Sequence, residues 1–100
     1  MYNVLVTLNK TDTPLPTGIL FGHTNLTSTD AAGAVQNFSL NGSETPPWTQ
    51  VIAGLADGAS GFVAQDVDST GATLGSPIKQ SFTPTPVTFP ATSSIMVTQA

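Results

Sequence analysis

The chain has 100 residues, no cysteine, only two basic residues (Lys10 and Lys79) and a formal net charge of −4. That length is one domain of ordinary size, and the missing cysteines exclude a disulfide framework, a thiolate zinc site and a cysteine nucleophile. Only 8% of residues are charged, against roughly 25% in ordinary soluble domains, so no basic patch exists for a nucleic acid or an anionic membrane.

The surface must instead be built from Thr, Ser, Asn, Gln and Gly, a rigid neutral skin that suits a virion or an extracellular surface. No run approaches the ~20 apolar residues of a membrane span, and membrane insertion is not expected. Met1-Tyr2-Asn3-Val4-Leu5-Val6 shows neither a basic n-region nor a long apolar h-region, so no signal peptide is seen. Met1 is expected to open a complete small reading frame, with an added methionine as the alternative. The Asn-X-Ser/Thr matches at Asn9, Asn25, Asn37 and Asn41 read as composition.

Helix signals are nearly absent, and eight prolines and nine glycines punctuate the chain. Tyr2, Val4, Val6 and Leu8 alternate with Asn3, Leu5, Thr7 and Asn9, which predicts a strand with its even positions on the core. Lys10–Gly18 is a connection, because Pro14 and Pro16 cannot donate to a central ladder. Ile19–Leu26 predicts a second strand with Ile19, Phe21 and His23 on one face, and Thr27–Gly33 a polar loop. Ala34–Leu40 predicts a third strand with Phe38 and Leu40 in phase. Asn41-Gly42 is a turn signal that Glu44-Thr45-Pro46-Pro47 extends.

Trp48–Leu55 predicts a fourth strand. Phe62–Val67 and Thr73–Phe82 form a hairpin around Asp68-Ser69-Thr70-Gly71, anchored by Phe62 and Leu74. Thr83-Pro84-Thr85-Pro86 is a stiff extended link. Val87–Phe89 reads as a short edge piece broken by Pro90, and Ile95–Thr98 as a final strand. Residues 1–100 are thus a single domain, with 83–100 a Pro/Thr-rich segment that either completes it as an edge strand or docks onto a neighbouring subunit by strand addition. About seven short strands at this spacing predict an all-β antiparallel sandwich, with a small jelly roll or barrel as runner-up.

The stretch Val51–Pro77 resembles the E-F-G region of immunoglobulin-like and fibronectin type III-like sandwich domains of bacterial and phage surface proteins. Leu55, Gly58, Phe62, Asp68 and Gly71 stand at the matching corner, strand and turn positions. The resemblance implies an immunoglobulin-like sandwich. It departs from the family at Phe62, where a tyrosine is usual, so no tyrosine-corner hydrogen bond is available there. The Trp and Cys pattern of antibody domains is absent too. The likeness says nothing specific about function, because this fold hosts many roles.

Chemistry-bearing residues are few. Asp66-Val67-Asp68-Ser69-Thr70-Gly71 looks like the start of a calcium loop with Asp66, Asp68 and Thr70 as ligands, but Pro77 stands where the closing bidentate Glu belongs. A hairpin turn capped by Asp68, with Gly71 at positive φ, is the simpler reading. His23 is the only histidine. It has no second His or Cys to share a metal and no G-x-S-x-G elbow to serve, and packing on a strand is its expected role. Asp57, Asp66 and Asp68 are the nearest set of paired carboxylates, but all sit by Gly-rich turns where Asp bonds the local backbone. Trp48 could stack a sugar ring with Tyr2, Asn41 and Gln50 alongside, while burial in a core with seven aromatics is the commoner fate of such a residue.

The expectation is therefore no enzyme and no cofactor. The chain reads as a structural or interaction module of a larger assembly, a phage virion component such as a capsid decoration or tail-associated protein. Its partners would be protein subunits of the same assembly, copies of itself included, met through the Asp68–Gly71 tip, Phe89 and edge strands. The alternative is a carbohydrate-binding or adhesion module, with a glycan on an exposed Trp48.

Overall fold

The computed structural model of the protein describes residues 1–41, 46–86 and 89–100. Six strands follow one another: β1 (Tyr2–Leu8), β2 (Phe21–Thr29), β3 (Val35–Leu40), β4 (Trp48–Leu55), β5 (Ser60–Asp68) and β6 (Thr73–Phe82). All pairings are antiparallel. β1 and β4 form a two-stranded sheet, and β3-β2-β5-β6 a four-stranded one. The two sheets make a sandwich-like, all-β arrangement.

Pleat alternation fixes what faces inward. Tyr2, Val4, Val6 and Leu8 of β1 are half-buried while their odd-numbered neighbours are exposed. Leu26, Ile52, Leu55 and Phe62 form the buried core, with Tyr2, Val4, Val6, Phe38 and Leu40 packed against it. Leu26 stands across from Phe38 on one side and Ala64 on the other. This is a small core for 100 residues.

The bounds expected for β4 and β6 stand as predicted, and β1 covers the alternating run as far as Leu8. β2 differs. It starts at Phe21 and continues to Thr29 through the segment read as a loop, and its buried side chains are Thr24, Leu26 and Ser28. Phe21 and His23 do not reach the core. A bulge between Phe21 and His23 shifts the register against β5, and two of the three inward residues are hydroxyl-bearing, which conceals the period. The Ser28 and Ser60 hydroxyls are buried without a hydrogen-bond partner among the described residues.

Both hairpins of the larger sheet turn on the same five-residue unit. In Asp30-Ala31-Ala32-Gly33-Ala34 and Asp68-Ser69-Thr70-Gly71-Ala72, the Asp N–H donates to the last carbonyl and the Gly N–H to the Asp carbonyl. Gly33 and Gly71 take positive φ of 86° and 92°, the left-handed position of a three-residue hairpin loop. Asp30 Oδ1 accepts from the Ala32 and Ala34 N–H groups, and Asp68 Oδ1 from those of Thr70 and Ala72. The expected Asp68 turn is present, and its twin at Asp30 lies inside the segment read as a loop.

Ile95–Thr98, expected as a final strand, joins no ladder. Phe89, Ile95, Met96 and Val97 are 79–89% exposed, and Thr83–Pro86 is irregular. Among the described residues there are therefore six strands, not seven. The Asn41-Gly42 turn and the Val87–Phe89 edge piece fall partly outside the described residues.

Gly22 has a steric reason to be glycine. A Cβ there would overlap the Asp68 carbonyl and approach Ser69 N at 3.1 Å, where Ser69 N–H donates to Leu20 O at 2.8 Å. Gly22→Ala is expected to destabilise the fold by about 1–3 kcal/mol, as overpacking does. A urea titration should show a lower midpoint at unchanged slope. An unmoved midpoint would show that this crossing is slack.

Candidate functional site

An open groove of about 1120 Å³ runs along the molecule between β1 and the inner face of β6. Its floor is Leu26, Phe62 and Ala64, and Ile78 and Phe82 line the β6 wall. Antiparallel pairing sets Ala64 across from Ile78 and Ser60 across from Phe82, so these side chains share the inward face. Ile78 and Phe82 are nevertheless 72% and 54% exposed, because among the described residues no strand lies over them. Phe21 and Leu20 are a separate exposed apolar pair at the entry to β2.

The groove is closed at one end by a polar clamp. Lys10, just past β1, donates through Nζ to Thr24 Oγ1 at 2.6 Å and to Asp66 Oδ1 at 3.0 Å. Thr24 Oγ1 in turn donates to Asp66 Oδ1 at 2.6 Å. The same ammonium lies 4.3 Å from the centre of the Trp48 ring and 5.7 Å from that of Phe21. Burial pushes the Asp66 carboxyl up, but the hydrogen bonds from Thr24 and Lys10 and the Lys10 charge outweigh it, and its pKa is lowered. With Asp66 47% exposed, the ion pair itself contributes at most about 1 kcal/mol. Stacking over the indole contributes about 0.5–2 kcal/mol.

This geometry places each candidate residue. Trp48 is 7% exposed, tilted against Phe21 at 5.9 Å and covered by Lys10. Tyr2 pairs with Leu55 and Leu8 with Trp48, so Tyr2 and Trp48 lie at opposite ends of one ladder, about 20 Å apart at about 3.4 Å per residue. Gln50 Nε2 donates to the Val51 carbonyl, and Asn41 is exposed at the end of β3. The exposed Trp48 platform is corrected accordingly. Its indole face is occupied, and Tyr2 is too distant to share a ligand with it.

Asp66 and Asp68 spend their carboxylates on different partners. Asp66 serves the Lys10 clamp. Asp68 Oδ1 accepts from Thr70 N, Thr70 Oγ1 and Ala72 N at 2.6–2.9 Å. These bonds lower the Asp68 pKa, the Thr70 hydroxyl foremost. The calcium set Asp66, Asp68 and Thr70 is thus not convergent, and no group of three acidic or histidine side chains gathers among the described residues. Asp57 lies apart from both and accepts from the Tyr2 phenol, which raises the phenol pKa. His23 is half-buried on β2, opposite Val67. Gly71 sits at the exposed hairpin tip, and Phe89 is 79% exposed in the tail.

Sequence reasoning missed the clamp and the groove. In the sequence Lys10 stands at the start of a connection, and nothing in its spacing announces Thr24 and Asp66. The groove is an absence of cover, which no local pattern encodes. The chain matches no protein-family model, no curated protein and no solved structure.

Two outcomes are expected. Acrylamide should quench Trp48 fluorescence weakly, and added oligosaccharide should not shift its emission; strong quenching would contradict the covered indole. Asp30, held by the Ala34 and Ala56 N–H groups, also has a lowered pKa, as do Asp66 and Asp68. Carboxyls lowered on folding bind protons more tightly in the unfolded chain, whose value is about 3.9. Their stabilisation is full above that value and is lost as pH falls through the folded pKa values. Acid titration should therefore lower the stability of the protein progressively below about pH 4, and Asp66→Asn should make the loss shallower. A variant with the wild-type acid profile would remove Asp66 from the account.

Proposed function

We propose that the protein is a structural interaction module of a larger assembly, with a phage virion component, a capsid decoration or tail-associated protein, as its setting. The observation that carries the reading is the open groove. It places inward-phased Ile78 and Phe82 in solvent on a chain whose tail also exposes Phe89, Ile95, Met96 and Val97. Apolar surface of this extent on a small domain marks an interaction site. The low-charge Thr/Ser/Gly surface and the absence of any gathered set of acid, base and nucleophile among the described residues favour a binding role over a catalytic one.

The architecture we propose is immunoglobulin-like. With β1 and β4 as strands B and E, and β2, β3, β5 and β6 as C, C′, F and G, the pairings are those of that sandwich. Strand A, which would lie beside β1, has no counterpart among the described residues, and neither does D. The groove is thus the place of a missing edge strand.

The test is sedimentation and mass. The protein should co-sediment with assembled particles or partner subunits, and light scattering after size exclusion should detect species above the 10.2 kDa chain mass. A strict monomer that co-sediments with nothing would overturn the reading.

A further inference from the structure

Among the described residues no strand lies beside β1 on its groove side, and the C-terminal segment has the alternation of a strand but joins no ladder. We infer that the C-terminal segment of one copy, centred on Ile95–Thr98, inserts as a strand into the groove of a second copy. The inference rests on the interaction-module reading and names the partner.

Four observations bear on it. First, β1 and β6 each pair on one side only, so two unpaired backbone edges flank the same groove and offer N–H and C=O groups to an added strand. Second, β1 is blunted little as a free edge, its one irregularity being a register shift against β4 between Tyr2 and Val4. Tyr2–Leu8 contains no charge, no proline and no glycine, whereas β6 carries Pro77, Lys79 and a bulge near Gly75. Third, Ser93, Ile95, Val97 and Gln99 alternate with Ser94, Met96 and Thr98, so an extended tail presents Ile95 and Val97 to one side. In the single chain both are more than 80% exposed. Fourth, residues 89–100 are exposed throughout and the molecule is elongated. The molecule measures 83 × 30 × 17 Å with a radius of gyration of 20.4 Å, against about 13 Å for a compact chain of this length.

A second copy is favoured over the tail's own groove by how the chain leaves β6. Phe82, Pro84 and Thr85 stand at the lip of the groove, and the chain leaves β6 through Thr83-Pro84-Thr85-Pro86, which resists an immediate reversal. Each proline there fixes φ and biases the residue before it to extended conformations, which keeps the chain extended as it leaves β6. Seven residues at about 3.4 Å each span about 24 Å, the length of β1, and residues 89–100 supply enough chain. A head-to-tail contact of this kind closes into rings or grows as a filament.

The test uses full-length variants. Ile95→Asp/Val97→Asp spoils the tail and leaves the groove, whereas Ile78→Asp spoils the groove and leaves the tail. All three positions are exposed in the single chain, so each variant should keep its circular dichroism spectrum. Each alone should run as a monomer, and a one-to-one mixture should give a heterodimer of twice 10.2 kDa and nothing larger. A mixture that stays monomeric overturns the inference. If the wild type still co-sediments with particles in that case, the interaction-module reading survives its loss.

Because the chain has no cysteine, cross-linking supplies an independent measurement. Ile95→Cys is combined in turn with Ser76→Cys, Ile78→Cys or Gln80→Cys along the β6 wall. Mild oxidation should produce a ladder of multimers on a non-reducing gel for at least one pair. A disulfide-bonded monomer would mean that the tail fills its own groove, and no disulfide in any pair would mean that it fills none; either result overturns exchange between copies.

Discussion

Two strands cannot cover four. Strands in a sheet lie about 4.8 Å apart, so the β1–β4 sheet is about 10 Å wide and the sheet facing it about 19 Å. β1 and β4 lie over the middle of the larger sheet, where Leu26 and Phe62 meet Ile52 and Leu55. The shortfall falls on β6. Its inward side chains have the pleat phase of core residues and the exposure of surface ones. The half-burial of β1 has the same origin, since Tyr2, Val4, Val6 and Leu8 are covered from one side and open to the groove on the other.

With so small a core, the sheets are held in register by polar ties at defined places. Gln36 Nε2 on β3 donates to the Ala53 carbonyl on β4 at 2.9 Å, which draws together the side away from the groove. Asp30 Oδ2 accepts from Ala56 N at 3.1 Å, joining the β2–β3 turn to the corner that follows β4. At the opposite end, Lys10 reaches across to Thr24 and Asp66. None of these is worth much alone in partly wet surroundings. Together they fix three sides of the sandwich and leave the fourth unlaced, which is why the opening lies between β1 and β6.

Legibility in the sequence followed chemistry. β1 and β4 could be read because their inward residues are large and apolar, and β6 because Gly71 and Thr83-Pro84 bracket it. The phase of β2 is concealed because Thr24 and Ser28 are inward and buried, while Phe21 is not. Period-2 arguments assume that apolar means inside, and the Lys10 clamp and the small core reverse that here. The turn at Asp30 was obscured by Ala31-Ala32, although Asp68-Ser69-Thr70-Gly71 shows the same Asp-x-x-Gly spacing. The candidate groove was legible only in the alternation of β1, because that β1 and β6 flank one opening follows from sheet order, which is fixed by tertiary packing.

The composition also decides what kind of contact this surface can make. Each chain carries a net charge of −4, and one of its two lysines is already engaged with Asp66. Attraction between copies therefore cannot come from matched charges, and at long range they repel. The repulsion is modest and screened beyond about 8 Å at physiological ionic strength. What remains is apolar burial and backbone pairing, which act only at contact and demand register. Such a surface gains nothing from electrostatic steering and associates by fit. A groove of strand width, bordered by two unpaired edges and floored by Leu26, Phe62 and Ala64, discriminates by fit. In the proposed exchange between copies, that fit disfavours a charged or proline-broken segment and favours an alternating apolar one.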